Sequence, residues 1–108
     1  MKTEEINYSH DQKNFIGYVA YPERDKAPLI LIAPSWAGRD EFVKDKAENL
    51  AREGYVAMAV DMYGDAKVGS STEENQSLMT PLVEDRDKLK GIIKSALEAG
   101  RQLEAVDA

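Results

Sequence analysis

The sequence predicts an α/β domain of three layers, a mostly parallel sheet with an N-terminal hairpin and flanking helices. Three observations lead there. Two unbroken apolar runs, LILIA at 29–33 and YVAMAV at 55–60, have the composition of strands covered on both faces. Between them lies RDEFVKDKAENLAREG, where Val43, Ala47, Leu50 and Ala51 recur at helical spacing with Phe42 beside them. A right-handed crossover then brings the two runs parallel in one sheet. At 108 residues and 43% apolar composition, the chain supports one core, and so one domain.

Taken in order, residues 4–9 and 14–21 read as strands. Ile16, Tyr18 and Ala20 alternate with Phe15, Gly17, Val19 and Tyr21, and the polar link 9–14 joins them as a hairpin. Its tip holds His10, the only histidine, which this reading sets away from the carboxyl edge of the sheet. Residues 22–26 form a polar turn before the first apolar run. Asp40 and Glu41 favour the positive end of the helix that follows, Arg52 favours its last turn, and Gly54 is placed to end it in a left-handed cap. Residues 61–71, DMYGDAKVGSS, form a loop beyond the second apolar strand. Ser71 or Thr72 caps the next helix, with Glu73 and Glu74 in its first turn. Pro81 is expected to open a second helical piece, because proline is tolerated at a first helical position and bends a helix interior. Leu82, Leu89, Ile93, Ala96, Leu97 and Leu103 then form one apolar stripe. Opposite them Glu84, Asp85, Asp87, Lys88, Lys90 and Lys94 make a solvated face.

The formal charge of −6 argues against nucleic acid or an anionic membrane as partner, since both need a cationic face. Cysteine is absent, which excludes a disulfide framework, a thiolate metal site and a thiol nucleophile within these residues. MKTEEINYSH has no apolar signal core, and the apolar runs are too short to span a bilayer; a cytoplasmic location is expected.

The segment that carries chemistry is PSWAGRD, 34–40, at the carboxyl end of the first apolar strand. In open parallel sheets ligands sit beyond such ends. Four readings compete for it. A phosphate cradle needs several amides among small residues, but Gly38 stands next to Trp36 and no GxGxxG or GxxxxGK pattern occurs. Ser35 as a nucleophile needs a base within reach, and His10 is in the hairpin. Trp36 could simply pack under a loop as a large apolar side chain. The fourth reading is one half of an oxyanion hole.

PSWAGRD, the amphipathic helix and AREGYVAMAVDMYGD, in this order and spacing, resemble the N-terminal half of the dienelactone hydrolase family, a branch of the α/β-hydrolase fold. The resemblance runs over essentially the whole chain and implies a three-layer α/β-hydrolase-like half-domain. It implies that the backbone N–H at Trp36 serves the oxyanion hole of a carboxylic ester or lactone hydrolase. Where family members often carry an acidic residue against the nucleophile, this sequence has Ser35, which makes Ser35 a pocket residue. Arg39 and Arg86 are candidates to hold a substrate carboxylate, as arginines do in some members. Surface salt bridging accounts for either equally well. Gly64, Asp65 and Lys67 could line the pocket or form a solvated turn. Asp61 and Asp65 suggest no metal or acid/base geometry.

The family's nucleophile is a cysteine on a GxCxGG elbow, with an aspartate and a histidine later in the chain. None of the three lies in residues 1–108, so the chain is expected to be inactive by itself. No cofactor and no metal are implied. The expected partners are a small-molecule ester or lactone, and either a second copy or a C-terminal half. In the α/β-hydrolase order the strand after the long helix lies beside 29–33, and without it that uncharged run is an open edge. A non-catalytic half-domain that oligomerises through this edge is the second reading, and a flavodoxin-like nucleotide or phosphate binder the third.

Overall fold

A computed structural model describes residues 2–34 and 37–106. Its elements are β1 (Lys2–His10), β2 (Lys13–Tyr21), β3 (Leu29–Ile32), α1 (Glu41–Arg52), β4 (Val56–Ala59), α2 (Thr72–Glu84) and α3 (Arg86–Arg101). The four strands form one sheet in the order β1-β2-β4-β3. It is mixed: β1 with β2 and β2 with β4 are antiparallel, and β3 with β4 is parallel across the α1 crossover. Glu5, Tyr18, Ala59 and Ile32 stand in register across all four strands.

The hairpin is longer and tighter than the polar link suggests. Asp11 and Gln12, both at positive φ (54° and 66°), close it as a two-residue turn whose twist matches that of the strands. Because β1 is antiparallel to β2 and β2 to β4, β1 runs the same way as β4 and β3. His10 therefore lies at the carboxyl edge after all, a correction to the sequence reading. It packs on α3, where a Cβ at Gly91 would fall 2.2 Å from its ring. Three strand spacings, about 14 Å, still separate β1 from β3.

β4 is central and buried throughout, and its side chains divide the core by alternation. Val56 and Met58 join Phe15, Val19 and Tyr21 under α3, whereas Ala57 and Ala59 join Ala20 under α1. The α1 side is built of small residues, with Ala47 and Ala51 of the helix meeting the three strand alanines. A helix with small residues on both sides of the contact sits close to its sheet. Phe42 is outside this contact, 69% exposed, with the Lys46 ammonium over its ring.

Ser71 and Gly54 take the capping positions expected of them, and Asp40, expected in the first turn of α1, stands just before it as the N-cap. Asp40 accepts from the Val43 N–H, Ser71 accepts from the Glu74 N–H, and Gly54 has φ 106° just past α1. The Pro81 expectation is corrected. Pro81 lies inside α2, and the break comes at Asp85, whose backbone is not helical and whose carboxylate caps α3 through the Lys88 N–H. That break resets the helical phase, so the buried stripe of α3 is Ile92, Ala96 and Gly100, and Ile93 is 37% exposed. No helix among the described residues is long and apolar enough to cross a membrane.

Candidate functional site

Two loops meet at the carboxyl ends of the parallel pair: 33–40 after β3, and 60–71 after β4. The last contact between the strands is the Val60 N–H to the Ile32 C=O, at 3.0 Å. Beyond it the loops rejoin. Gly38 pairs with Val68 in an antiparallel bridge, and the Gly69 N–H donates to the Ala37 C=O at 2.8 Å. Gly38 has φ 93°, and a Cβ there would stand 2.6 Å from the Lys67 carbonyl oxygen and 3.2 Å from the Tyr63 ring. Only glycine meets both demands.

Asp61 organises the second loop. Its carboxylate is fully buried and accepts four backbone N–H groups: Tyr63 at 3.1 Å and Gly64 at 3.0 Å on Oδ1, Ile16 at 2.9 Å and Ala66 at 2.8 Å on Oδ2. Its own peptide is satisfied by one side chain. The Tyr8 hydroxyl donates to the Asp61 C=O at 2.7 Å and accepts from the Asp61 N–H at 2.8 Å. Burial pushes the Tyr8 hydroxyl well above the ordinary tyrosine range, so it remains a donor. Wrapping amides around one carboxylate demands an unusual backbone. Gly64, Asp65 and Ala66 follow one another at positive φ (98°, 51° and 57°), conformations that cost free energy in non-glycine residues and persist where surrounding bonds impose them.

The first loop is tied to the far side of the sheet by Arg39. This residue is 6% exposed, and its Nη2 lies 2.6 Å from Glu5 Oε2 on β1. Its guanidinium stands 5.9 Å from the Tyr18 ring centroid. Nε and Nη1 are buried with no protein partner. Behind the second loop, Glu74 accepts from the Ser70 N–H at 2.7 Å and pairs with Lys67 at 3.4 Å. The Ser70 bonds, and after them Lys67, hold the Glu74 carboxyl below its usual range.

Of the residues singled out in the sequence, Ser35 and Trp36 lie outside the described residues. Arg39 is committed to Glu5, while Arg86 is exposed at the start of α3, so the two arginines are not brought together. Gly64 and Asp65 belong to the turn around Asp61, and Lys67 to the pair with Glu74. Among the described residues no group of three or more His, Asp or Glu could hold a metal ion. Sequence reasoning missed the Asp61 hub and the Arg39–Glu5 pair. A carboxylate directly after a wholly apolar strand is a readable sign of a buried acceptor. For Glu5, 34 residues from its partner, no local sign exists.

The turn borders a cavity of about 240 Å³. Ala33 and Pro34 form its near side, Met62 and Tyr63 come from the loop after β4, and α2 and α3 close it.

The profile of the dienelactone hydrolase family matches residues 15–108. Over 60 residues the chain is 37% identical to a Saccharolobus solfataricus protein provisionally named carboxymethylenebutenolidase, covering 56% of this chain and 23% of that one. The solved structure m3DLH superposes with a TM-score of 0.92 at 28% identity, over 99% of this chain and 45% of its own. A crystal structure described as a dienelactone hydrolase-like promiscuous phosphotriesterase from metagenomic libraries gives 0.92 at 26% identity, over 98% and 45%. The chain spans less than half the length of each of these proteins.

Proposed function

Since the chain belongs to the dienelactone hydrolase family, we propose that it forms the substrate-facing turn and one wall of the active cleft of a carboxylic ester or lactone hydrolase. The nucleophile, base and orienting acid come from residues outside 1–108. When the nucleophile attacks the ester carbon, the carbonyl oxygen takes on negative charge, and the peptide N–H of Trp36 donates to it. A preorganised donor of this kind lowers the barrier by about 3 kcal/mol. One observation carries the reading. The described residues on either side of Trp36 support it: Ala33 and Pro34 follow a parallel strand and line an apolar cavity, and Gly38 bridges Val68 of the neighbouring loop. Rigid placement matters because a donor helps only when it need not move as charge develops.

The edge of β3 supports the same reading. Its outer side holds no charged residue from 27 to 34, whereas β1, at the other edge, carries Lys2, Glu4 and Glu5. Charge is how an edge meant for water is protected from pairing. Pro28 and Ile32 carbonyls accept from Val56 and Val60, so by alternation Leu29 and Leu31 turn their peptide groups outward. At the start of that outer side the Ala27 N–H already bonds the Ala105 C=O at 2.9 Å, and Ala27 bridges Val106 in parallel. A parallel strand of the rest of the fold fits along Leu29–Ile32.

The test mixes this polypeptide with a separately produced one that carries the family's GxCxGG elbow and its later aspartate and histidine, and follows p-nitrophenyl ester cleavage. Turnover is expected in the mixture and not in either part, and Trp36→Pro, which removes the N–H, is expected to lower it about 10²–10³-fold. Undiminished turnover with Trp36→Pro overturns the role of that amide. The second reading, a non-catalytic half-domain that self-associates, rests on the same open edge. It requires a dimer by light scattering that Leu31→Pro dissociates, since proline there deletes an outward N–H and spares the β4 ladder.

A further inference from the structure

The cavity beside the turn has a chemical character that the hydrolase reading leaves unused. Its near side is Ala33 and Pro34, the residues that lead into Ser35 and Trp36. Met79 and Leu82 of α2 and Leu89 of α3 face them, and Val83 and Ile93 form a rim, 63% and 37% exposed. No lining residue carries a charge. A cavity of about 150 Å³ lined by apolar side chains accepts benzene, so 240 Å³ has room for one substituted ring or a short acyl chain.

The nearby cations do not change this. Neither Arg39 nor Arg86 lines the cavity. Lys13 and Lys88 line an adjoining cavity of about 140 Å³ that shares Met62, Tyr63 and Leu82 but does not extend to Ala33 or Pro34. A carboxylate placed in this cavity would therefore lose hydration and meet no cationic lining residue, whereas a neutral ring loses far less by entry.

We propose that this cavity selects an uncharged apolar acyl or aryl group, so that the ester cleaved is a neutral one and not a substrate anchored by its own carboxylate. This deepens the hydrolase reading and rests on it for the identity of the ligand as a substrate. Two methionines make the site observable. Met62 and Met79 line it, while Met58 is fully buried in the core beneath α3 and serves as a control.

The experiment titrates the 108-residue protein, ¹³C-labelled at its methionine methyls, with acetophenone and with benzoate. These probes have nearly the same shape and differ in charge. Acetophenone is expected to shift the Met62 and Met79 signals saturably and leave Met58 in place, with benzoate at least tenfold weaker. Val83→Arg, at an exposed rim position, brings a cation to the mouth and is expected to narrow that gap. An unmoved Met58 signal shows that the variant is folded. Benzoate binding as well as acetophenone to the unaltered chain overturns the proposal. So does a Met79 signal that changes with protein concentration and ignores both probes, because a second copy then fills the cavity. The two readings fail separately. Acetophenone binding with no turnover in the complemented mixture removes the hydrolase; turnover that favours a carboxylate-bearing ester over its neutral counterpart removes this specificity.

Discussion

Replacing Asp61 by asparagine changes one atom and puts the second loop at risk. The two carboxylate oxygens share four backbone donors in two pairs, Tyr63 with Gly64 and Ile16 with Ala66. An asparagine keeps one oxygen, and its NH₂ must face the other pair, donor against donor. Either orientation loses two bonds. Hydrogen bonds to a charged group contribute about 1.5–3 kcal/mol each, so the loss is about 3–6 kcal/mol. Opening of the 63–66 turn to water lowers the observed figure towards the bottom of that range. Against a typical domain stability of about 5–15 kcal/mol, this is a large fraction. Urea unfolding at pH 7, followed by far-ultraviolet circular dichroism, measures it. Exchange protection should fall first at Tyr63, Gly64 and Ala66, then at Ile16. A loss below about 1 kcal/mol would refute the reasoning, because it would mean the four bonds are not made together in solution.

Three further outcomes are expected. Gly38→Ala, forced to a positive φ and 2.6 Å from the Lys67 carbonyl oxygen, should destabilise the protein by more than about 1 kcal/mol and lower amide protection at Gly69, whose N–H bonds the adjacent Ala37 C=O. Ile92→Ala should cost about 2–5 kcal/mol and Ile93→Ala under about 1, measured by denaturant midpoint, since Ile92 is fully buried and Ile93 is 37% exposed; equal losses would put the stripe back where the sequence suggested it. Burial, and for Tyr21 also its bond to Glu4, raises the Tyr8 and Tyr21 hydroxyls above their unfolded value near 10. Their contribution is thus complete below about pH 10 and is lost as pH rises beyond it. Urea midpoints should fall above that pH, less steeply in Tyr21→Phe.

Local physics explains what could be read before any coordinates. Alternation in 14–21, the apolar runs and the spacing of Val43, Ala47 and Ala51 are properties of neighbouring residues, and they return as β2, β3, β4 and α1. Ser71 and Gly54 cap as expected because a cap satisfies groups within its own turn, and Asp40, expected there for its charge, is the N-cap of α1. The turn at 34–40 was identified by its position after β3, and the family by order and spacing over the whole chain.

By itself, then, the sequence determined the layer architecture, the crossover, the starts of α1 and α2, and the family. Tertiary structure decided the rest. Which face of α3 is buried depends on Asp85 breaking the helix, which turns on where α2 and α3 pack, whereas Pro81 was the visible breaker. That His10 reaches the carboxyl edge follows from two successive antiparallel pairings. Asp61 finds Ile16, 45 residues away, Arg39 finds Glu5, and the cavity is assembled from four separate segments. Periodicity records which way a side chain faces within its own element. What it meets there is set by how the elements close on one another, and no window along the chain contains that.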